Sequence, residues 1–452
     1  MATPRTYASS FAPTVAVVLG LVITGAYVSG LLILMDTTSF DVWGAAVLAP
    51  VLIALSIPVL RRQATREGDP GTFRLLLLAV VVKLAGGAVR YYVAFTVYGG
   101  AADATKYHLD GALLAERLRH LDLSGLHIVV GTDFVRIVTG VVEALIGPSK
   151  LGAFLFFSWL GFWGLFLFYR AFVIAVPLGR ARSYAYLLFF LPSLVFWPSS
   201  IGKEAWMMFA LGIGAYGVAK ILVGETWRGL VVATAGLWLA GMVRPHIAAL
   251  VAISLALAAI MRKSKKEHRE MAPVLKGVSV IAVAALAIVL IARTDRFLKT
   301  SGIDVGQGVG TTLSDLQSRT SEGGAAFIPS IVNSPWRAPM AAVTVLFRPF
   351  VFEVHNLQAL MAAIEGTTLM LLCLLRIRWA STALRTLKKQ PYVTFCLVYC
   401  GLFVVAFSGF ANFGLLARER VQLYPLFLVL LSIPPLARSG REGDQEAEVA
   451  RS

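Results

Sequence analysis

Three polar side chains at helical spacing interrupt a strongly apolar sequence. In the stretch GGAADATKYHLDGALLAERLRHLD, Asp103, Tyr107 and Asp110 stand at positions i, i+4 and i+7, so they share one face of a helix. A carboxylate on such a face can act as a general base that deprotonates a hydroxyl group, with Tyr107 and Asp110 shaping the pocket. The structural alternative is that Asp103 caps a helix that starts one residue later.

The residues that follow predict an amphipathic helix. Leu113, Leu114, Leu118 and Leu121 alternate there with charged side chains. This pattern is typical of a helix that lies in the membrane interface. The sequence therefore predicts that Asp103 stands at a membrane surface.

A second polar stretch, FWPSSIGKEAW, separates two apolar runs. Pro198 ends the first run, Ser199 or Ser200 can cap the next helix, and Glu204 suits its first turn. Lys203 has no such explanation, because a cation at a helix N-terminus opposes the helix dipole. We expect it to face a distant carboxylate or a lipid phosphate.

Two further junctions carry candidate phosphate ligands. Arg244 and His246 occur in MVRPHIA, where Pro245 breaks the helix. Arg348 and Glu353 occur in VLFRPFVFEVHN, around an interrupted apolar piece. An arginine at membrane depth is usually functional or paired, and Glu353 is the nearest candidate partner of Arg348.

Further charges lie beside or within apolar runs. Arg418 and Arg420 flank Glu419 in NFGLLARERVQLYP, where either phosphate binding or snorkelling to the interface explains them. Lys83 and Arg90 are seven residues apart in one apolar run. We expect both to face the interior of a helix bundle.

Composition sets the class of protein to which these residues belong. The chain has 452 residues, of which 58% are hydrophobic and 15% charged, with a mean hydropathy of +0.76 and a net charge of +16. A soluble domain cannot bury so much apolar surface, so we predict an all-α polytopic membrane protein. The basic residues cluster in short loops between apolar runs, which excludes a nucleic-acid partner and indicates inner-leaflet loops.

The apolar runs predict about twelve membrane-spanning helices in a single membrane domain, residues 1–440. They lie near 12–35, 42–60, 75–98, 151–178, 184–198, 203–223, 229–243, 246–261, 277–292, 356–375, 392–409 and 421–437. The pieces 134–147 and 338–350 are expected to be re-entrant or interfacial. We expect residues 441–452 to form a disordered cytoplasmic tail.

The basic loops orient these helices with both termini in the cytoplasm. The loop residues that carry this argument are Arg61, Arg62, Arg66, Arg74, Arg180, Arg182, Arg228, Arg262, Lys263, Lys265, Lys266, Arg269, Arg376, Arg378, Arg385, Lys388, Lys389, Arg438 and Arg441. The outer segments are then about 99–133 and about 293–337, the second a mobile loop rich in Gly, Ser and Thr. Five of the six histidines fall on the outer side: His108, His120, His127, His246 and His355.

The order of these pieces resembles the integral-membrane glycan-assembly proteins of bacteria. It is similar to glycosyltransferases of the GT-C class and to repeat-unit polymerases of the Wzy type. The residues that carry the resemblance are GGAADATKYH, LPSLVFWPSSIGKEAW, VRPH, VLFRPFVFE and NFGLLARER. The resemblance implies a GT-C-like fold in the bacterial cytoplasmic membrane, with Asp103 as catalytic base and Arg244, Arg348 and Arg418 binding a lipid pyrophosphate.

The expected function is transfer of sugar from a polyprenyl-phosphate-linked donor to a glycan or lipid-linked acceptor at the outer face of the membrane. Arg90, Lys203 and Arg420 would help to hold the phosphate, and His246 and Glu353 would orient these groups or contact the acceptor. No cofactor is required, although a divalent cation stays open. The alternatives are a lipid or oligosaccharide transporter, which needs a site near the bilayer midplane, and a non-catalytic subunit of an envelope complex, whose polar residues would not converge.

Overall fold

The structure is a computed structural model, and its described part is helical. It describes residues 11–124, 127, 129–261, 277, 285, 287–296, 299, 308–321, 325–354, 356–387 and 389–435. Within these ranges the only β-type pairing is an isolated bridge between Ala326 and Asn412. The predicted helical fold class is confirmed.

The α-helices whose bounds the described residues fix are given in chain order. The first nine are α1 (Phe11–Thr37), α2 (Phe40–Glu67), α3 (Pro70–Tyr92), α4 (Asp103–Arg119), α5 (Thr132–Ile146), α6 (Lys150–Ala175), α7 (Ala181–Phe190), α8 (Pro192–Phe196) and α9 (Lys203–Val223). The others are α10 (Thr226–Gly241), α11 (Pro245–Met261), α12 (Val309–Thr320), α13 (Ala338–Phe347), α14 (Leu357–Leu375), α15 (Ile377–Thr386), α16 (Pro391–Phe407), α17 (Phe413–Glu419) and α18 (Tyr424–Leu430).

Several of these helices suit a lipid bilayer. In the described part of the chain, 6 helices are long and apolar enough to cross a membrane, or up to 7 if the bent pair α15–α16 counts as one span. They include α1, whose described side chains are mostly exposed and apolar, a pattern that lipid rather than water stabilises. The chain therefore carries the helices of a membrane protein.

Some predicted spans are broken or short. The run 184–198 forms two helices, α7 and α8, because Pro192 lacks the amide hydrogen that would continue α7. The described part of the last run, 421–437, contains the 7-residue helix α18 and the end of a 3₁₀ helix, Arg420–Gln422. Half of another predicted span, residues 277–292, lies outside the described residues, as does all of the predicted tail 441–452.

The second outer segment, predicted as a mobile loop, contains a packed helix. Leu313 of α12 is buried, and the Thr320 hydroxyl accepts a hydrogen bond of 2.9 Å from the Ala411 amide. The prediction of a loop was wrong for this part, because a single buried leucine anchors an otherwise polar helix.

The predicted amphipathic helix and the piece 134–147, predicted as re-entrant or interfacial, also form helices. The predicted amphipathic helix is α4, which packs against α5 (the predicted piece 134–147). Leu113 and Leu145 remain exposed on the outside of this pair. A helix pair in the membrane interface needs exposed apolar side chains next to polar ones. The pair α4 and α5 meets this requirement.

Glycines let the central helices approach closely. Gly212 of α9 meets Gly164 of α6, and Gly217 of α9 meets Ala233 of α10. A Cβ atom added to Gly217 would overlap the backbone nitrogen of Ala233. The close approach brings the start of α9, with Lys203 and Glu204, against its neighbouring helices.

Gly217→Ala is expected to destabilise the protein by about 1–3 kcal/mol, because the added methyl group forces α9 and α10 apart. Gly401→Ala in α16 is the matched control, since nothing lies within 4 Å of its added Cβ atom. Alanine favours a helix, so the control should be neutral or more stable. Thermal unfolding in detergent measures both, and equal melting temperatures would contradict the proposed packing.

The bundle interior also holds Lys83 of α3, as predicted. Its side chain is buried, and its ammonium donates hydrogen bonds to the carbonyls of Leu194 (2.5 Å) and Val195 (3.4 Å) in α8. The lysine therefore ties the broken helix α8 to α3.

Candidate functional site

Glu204 is the centre of a buried ion-pair network. Its Oε1 atom accepts hydrogen bonds from Arg418 Nε at 2.6 Å and from Arg244 Nη2 at 3.0 Å. Only 5% of the Glu204 side chain is exposed. Glu204 stands in the first turn of its helix, as predicted, and it also links three segments that are far apart in sequence.

Glu419 extends the network. Its Oε1 atom lies 2.6 Å from Arg244 Nη2, and its Oε2 atom accepts a hydrogen bond from Gln422 Nε2 at 2.8 Å. Arg244 is thus held by two carboxylates, from α9 and α17. We call the set Glu204, Arg244, Arg418 and Glu419 the charged cluster.

The charged cluster is built on helix ends. Helix α9 begins at Lys203 with Gly202 before it, and neither Ser199 nor Ser200 caps it. The predicted serine cap was wrong. Gly202, with a φ of 159°, occupies the N-cap position, so the helix starts beyond the serines. Glu204 therefore stands one residue inside the helix, where it can turn towards Arg244 and Arg418.

Asp103 borders the charged cluster from α4. Its Oδ2 atom lies 3.4 Å from Arg418 Nη1 and 3.5 Å from Nη2, and 63% of its side chain is exposed. Helix α4 begins at Asp103 itself, so the predicted cap by Asp103 was wrong. An accessible carboxylate that contacts an arginine only loosely can accept a proton from a bound hydroxyl.

The other two polar residues of α4 have different surroundings. Tyr107 is buried beside Gly202, and burial together with the carboxylates of Asp103 and Glu204 raises its pKa to about 12. Its hydroxyl therefore stays protonated. Asp110 pairs with Arg136 of α5 at 2.8 Å, so its contacts fasten α4 to α5 and do not join the charged cluster.

Two more cations stand close to the charged cluster. Arg90 of α3 lies over the rings of Phe196 and Trp197, with 4.7 and 4.9 Å from its Cζ to the ring centroids. It is within electrostatic range of Glu204 and Arg418. Lys203 is half-buried among the charges of Arg244, Arg418, Glu204 and Asp103. Among the described residues, neither Arg90 nor Lys203 forms an ion pair.

Buried hydrogen-bond donors point to a missing acceptor. Arg90 Nε and Arg244 Nη1 are buried and have no hydrogen-bond partner within the described ranges. Buried arginine nitrogens are nearly always satisfied in proteins. An anionic ligand with several oxygen atoms would supply the acceptors.

An apolar cavity of about 280 Å³ adjoins these cations. It lies between the end of α3, helix α8, the start of α14 and helix α17, and its lining includes Phe196, Trp197, Ala362, Phe413 and Ala417. Phe196 and Trp197 are the rings on which Arg90 rests. Ala417 immediately precedes Arg418, so the cavity wall and the charged cluster share α17.

Arg348 and Glu353 lie on another side of the cavity. Arg348 Nε is 3.0 and 3.1 Å from the two carboxylate oxygens of Glu353, which confirms the predicted pair. Hydrogen bonds from Arg348 and the Phe350 amide outweigh the effect of burial and lower the pKa of Glu353. Glu353 and Pro349 line the cavity, so Arg348 stands at its edge with its charge already paired.

Arg420 and His246 complete the predicted set. Arg420 is 0% exposed and donates to the Arg348 carbonyl oxygen at 2.6 Å, so snorkelling to the interface was wrong for this residue. His246 is half-buried, two residues after Arg244, with its ring 6.4 Å from that of Phe407. His355 and His268 lie outside the described residues, and His108 pairs with Glu143 at 2.8 Å.

Sequence reasoning missed Glu204 and Glu419 as site residues. Glu204 had a local explanation, the first turn of a helix, and Glu419 was named only as the residue between Arg418 and Arg420. The sequence did contain a signal for both residues. Buried arginines need carboxylate partners, and few acidic residues lie near the predicted membrane spans.

Comparison with known proteins gives no match: no family model, curated protein or solved structure is similar to this chain. Among the described residues, no group of three or more His, Cys, Asp or Glu side chains could hold a metal ion. The site is therefore described by its own geometry, as a cationic and carboxylate cluster beside an apolar cavity.

Proposed function

We propose that this protein is a polyprenyl-phosphate-dependent glycosyltransferase or glycan polymerase that acts at the outer face of the cytoplasmic membrane. The observation that carries the proposal is the apolar cavity, which shares α17 with the charged cluster, while Asp103 contacts that cluster through Arg418. Such a site suits a ligand with a long apolar chain, an anionic group and a reacting sugar. We propose a GT-C-like arrangement of about twelve spans around it.

The charges suit a lipid phosphate. Arg244 and Arg418 are paired with Glu204 and Glu419, which fixes their guanidinium groups. Arg90 and Lys203 have no such partner in the described part of the chain. A phosphate or pyrophosphate would receive hydrogen bonds from Arg90, Lys203 and the unsatisfied Nη1 of Arg244.

Asp103 is the proposed general base. Its exposed carboxylate would take the proton of the acceptor hydroxyl while that oxygen attacks the anomeric carbon of the donor. The bond between the anomeric carbon and the phosphate oxygen breaks, and the negative charge stays on the lipid phosphate. Arg90, Lys203 and Arg418 would stabilise this charge as it develops.

The convergence of the polar residues favours a site over a purely structural role. A non-catalytic subunit has no need to bring Asp103, Glu204, Arg244 and Arg418 together from four segments of the chain. A transporter would need polar groups across the bilayer, whereas Lys83 in the bundle interior is satisfied by two backbone carbonyls.

Filling the cavity tests the proposal. Ala362→Trp is expected to weaken binding of added polyprenyl phosphate by about 10-fold or more, because the indole ring occupies the space for the chain. Ala88→Trp is the matched control, since Ala88 is exposed on α3 and does not line the cavity. Binding is measured by titration of the purified protein in detergent.

Equal affinities of the two variants would contradict the assignment of the cavity to the lipid chain. Thermal unfolding of both variants establishes that they are folded before affinity is compared.

A further inference from the structure

A second cationic site lies at the junction of α7, α15 and the segment after α18. We propose that Arg180, Arg376 and Trp379 bind the headgroup phosphate of an anionic phospholipid. The Cζ atoms of Arg180 and Arg376 lie 5.1 and 4.6 Å from the centroid of the Trp379 ring. The two guanidinium groups are thus gathered on one aromatic side chain.

The arginines are held in place by neutral groups. Arg376 Nη1 donates hydrogen bonds of 2.9 Å to the Ser183 hydroxyl and to the Leu431 carbonyl. The backbone of Arg180 is fixed by its amide, which donates to the Ser432 carbonyl at 2.9 Å. These contacts hold the two arginines in place but do not neutralise their positive charges.

No described carboxylate balances these charges. Among the described residues, neither Arg180 nor Arg376 forms an ion pair, and the charged group that acts on Arg376 is Arg180. Burial and this neighbouring guanidinium lower the pKa of Arg376. Two like charges kept close to one ring favour the binding of an anion, and guanidinium groups bind phosphate oxygens in bidentate fashion.

The adjoining helix indicates that the anion belongs to a lipid. Helix α15 is bent by 114° from α16, so it does not continue the direction of that helix. Its apolar side chains Ile377 and Leu384 are each more than half exposed, as are Leu374 and Leu375 just before it. Exposed leucines beside arginines are typical of a helix in the membrane interface, where acyl chains and headgroups meet.

This site is separate from the proposed catalytic site. The basic loops that contain Arg180 and Arg376 are on the side that the positive-inside rule assigns to the cytoplasm, where anionic lipids attract cationic segments. The proposal therefore does not depend on glycosyl transfer.

The experiment compares binding of dioctanoyl phosphatidylglycerol and dioctanoyl phosphatidylcholine to the full-length protein in non-ionic detergent. The wild type should prefer phosphatidylglycerol, and Arg180→Gln/Arg376→Gln should weaken its binding on the order of 10-fold. Arg62→Gln/Arg66→Gln is the matched control, because it removes two exposed arginines on the same predicted side and leaves Trp379 untouched. Its affinity should match the wild type.

The single variant Arg180→Gln is included in case the double variant does not fold. It should fold, since the exposed Arg180 side chain makes no hydrogen bond in the described structure. It should still weaken binding about threefold. No preference between the two lipids, or an equal loss in the control variant, would overturn the proposal. The alternative anion for this site is the acidic tail, with Glu442, Asp444, Glu446 and Glu448. If the preference for phosphatidylglycerol appears only when all four are replaced by amides, the proposal is also overturned.

Discussion

Replacing Asp103 by asparagine is expected to reduce sugar transfer by about 10²- to 10⁴-fold, the range that a general base contributes. Asparagine keeps the shape of the side chain but cannot accept the proton of the acceptor hydroxyl. The protein should remain folded, because Asp103 is 63% exposed and contacts Arg418 only at 3.4 Å. An exposed ion pair of this kind contributes less than about 1 kcal/mol to stability.

The measurement is transfer of labelled sugar from a polyprenyl-phosphate-linked donor in reconstituted vesicles. Asp133→Asn is the matched control: Asp133 is an exposed carboxylate at the start of the neighbouring helix and pairs with Arg136 at 2.6 Å. It should retain wild-type activity. Full activity in Asp103→Asn would remove Asp103 from the role of base.

Replacing Glu204 by alanine is expected to destabilise the protein by about 3–5 kcal/mol, because it leaves the guanidinium groups of Arg244 and Arg418 buried with one carboxylate fewer. Breaking one partner of a buried network costs more than removing the whole network. Transfer activity should fall as well, since Arg418 loses the contact at 2.6 Å that fixes its guanidinium group beside Asp103.

Glu225→Ala provides the comparison for stability. Glu225 also pairs with a cation of α9, Lys220, at 2.5 Å, but 47% of its side chain is exposed. Its loss should cost less than about 1 kcal/mol. Both variants are compared with the wild type by thermal unfolding in the same detergent, and an equal shift in melting temperature would show that Glu204 is not the buried centre of the cluster.

Local patterns in the sequence predicted a large part of the molecule. Long apolar runs predicted α1, α2, α3, α6, α9 and α14, because a helix is the arrangement that satisfies its backbone within lipid. The pair Arg348–Glu353 was also predictable, since the partners are five residues apart. Lys83 was expected in the bundle interior because a charge in an apolar run avoids lipid.

The charged cluster was only partly predictable. Arg244, Arg418 and Lys203 were expected to hold one anionic group, but their partner Glu204 lies 40 residues from Arg244 and 214 from Arg418. No local pattern encodes a contact over such separations. The rules for helix N-termini gave Asp103 and Glu204 a local explanation. They therefore predicted no tertiary partner for either residue.

Hydropathy also failed to distinguish burial in protein from burial in lipid. Helix α18 is almost entirely buried within the bundle, so its apolar side chains face other helices. Seven residues are too few to span a bilayer, which needs about 20. The same composition would suit a membrane-spanning helix, and only packing decides between the two.

Native mass spectrometry of the gently purified wild-type protein tests whether it binds a polyprenyl phosphate, because the method identifies the lipid that the protein itself retains. We expect a polyprenyl phosphate or a lipid-linked sugar bound at about one molecule per chain. Bulk phospholipid alone, under conditions in which a known carrier-binding protein keeps its polyprenyl lipid, would contradict it.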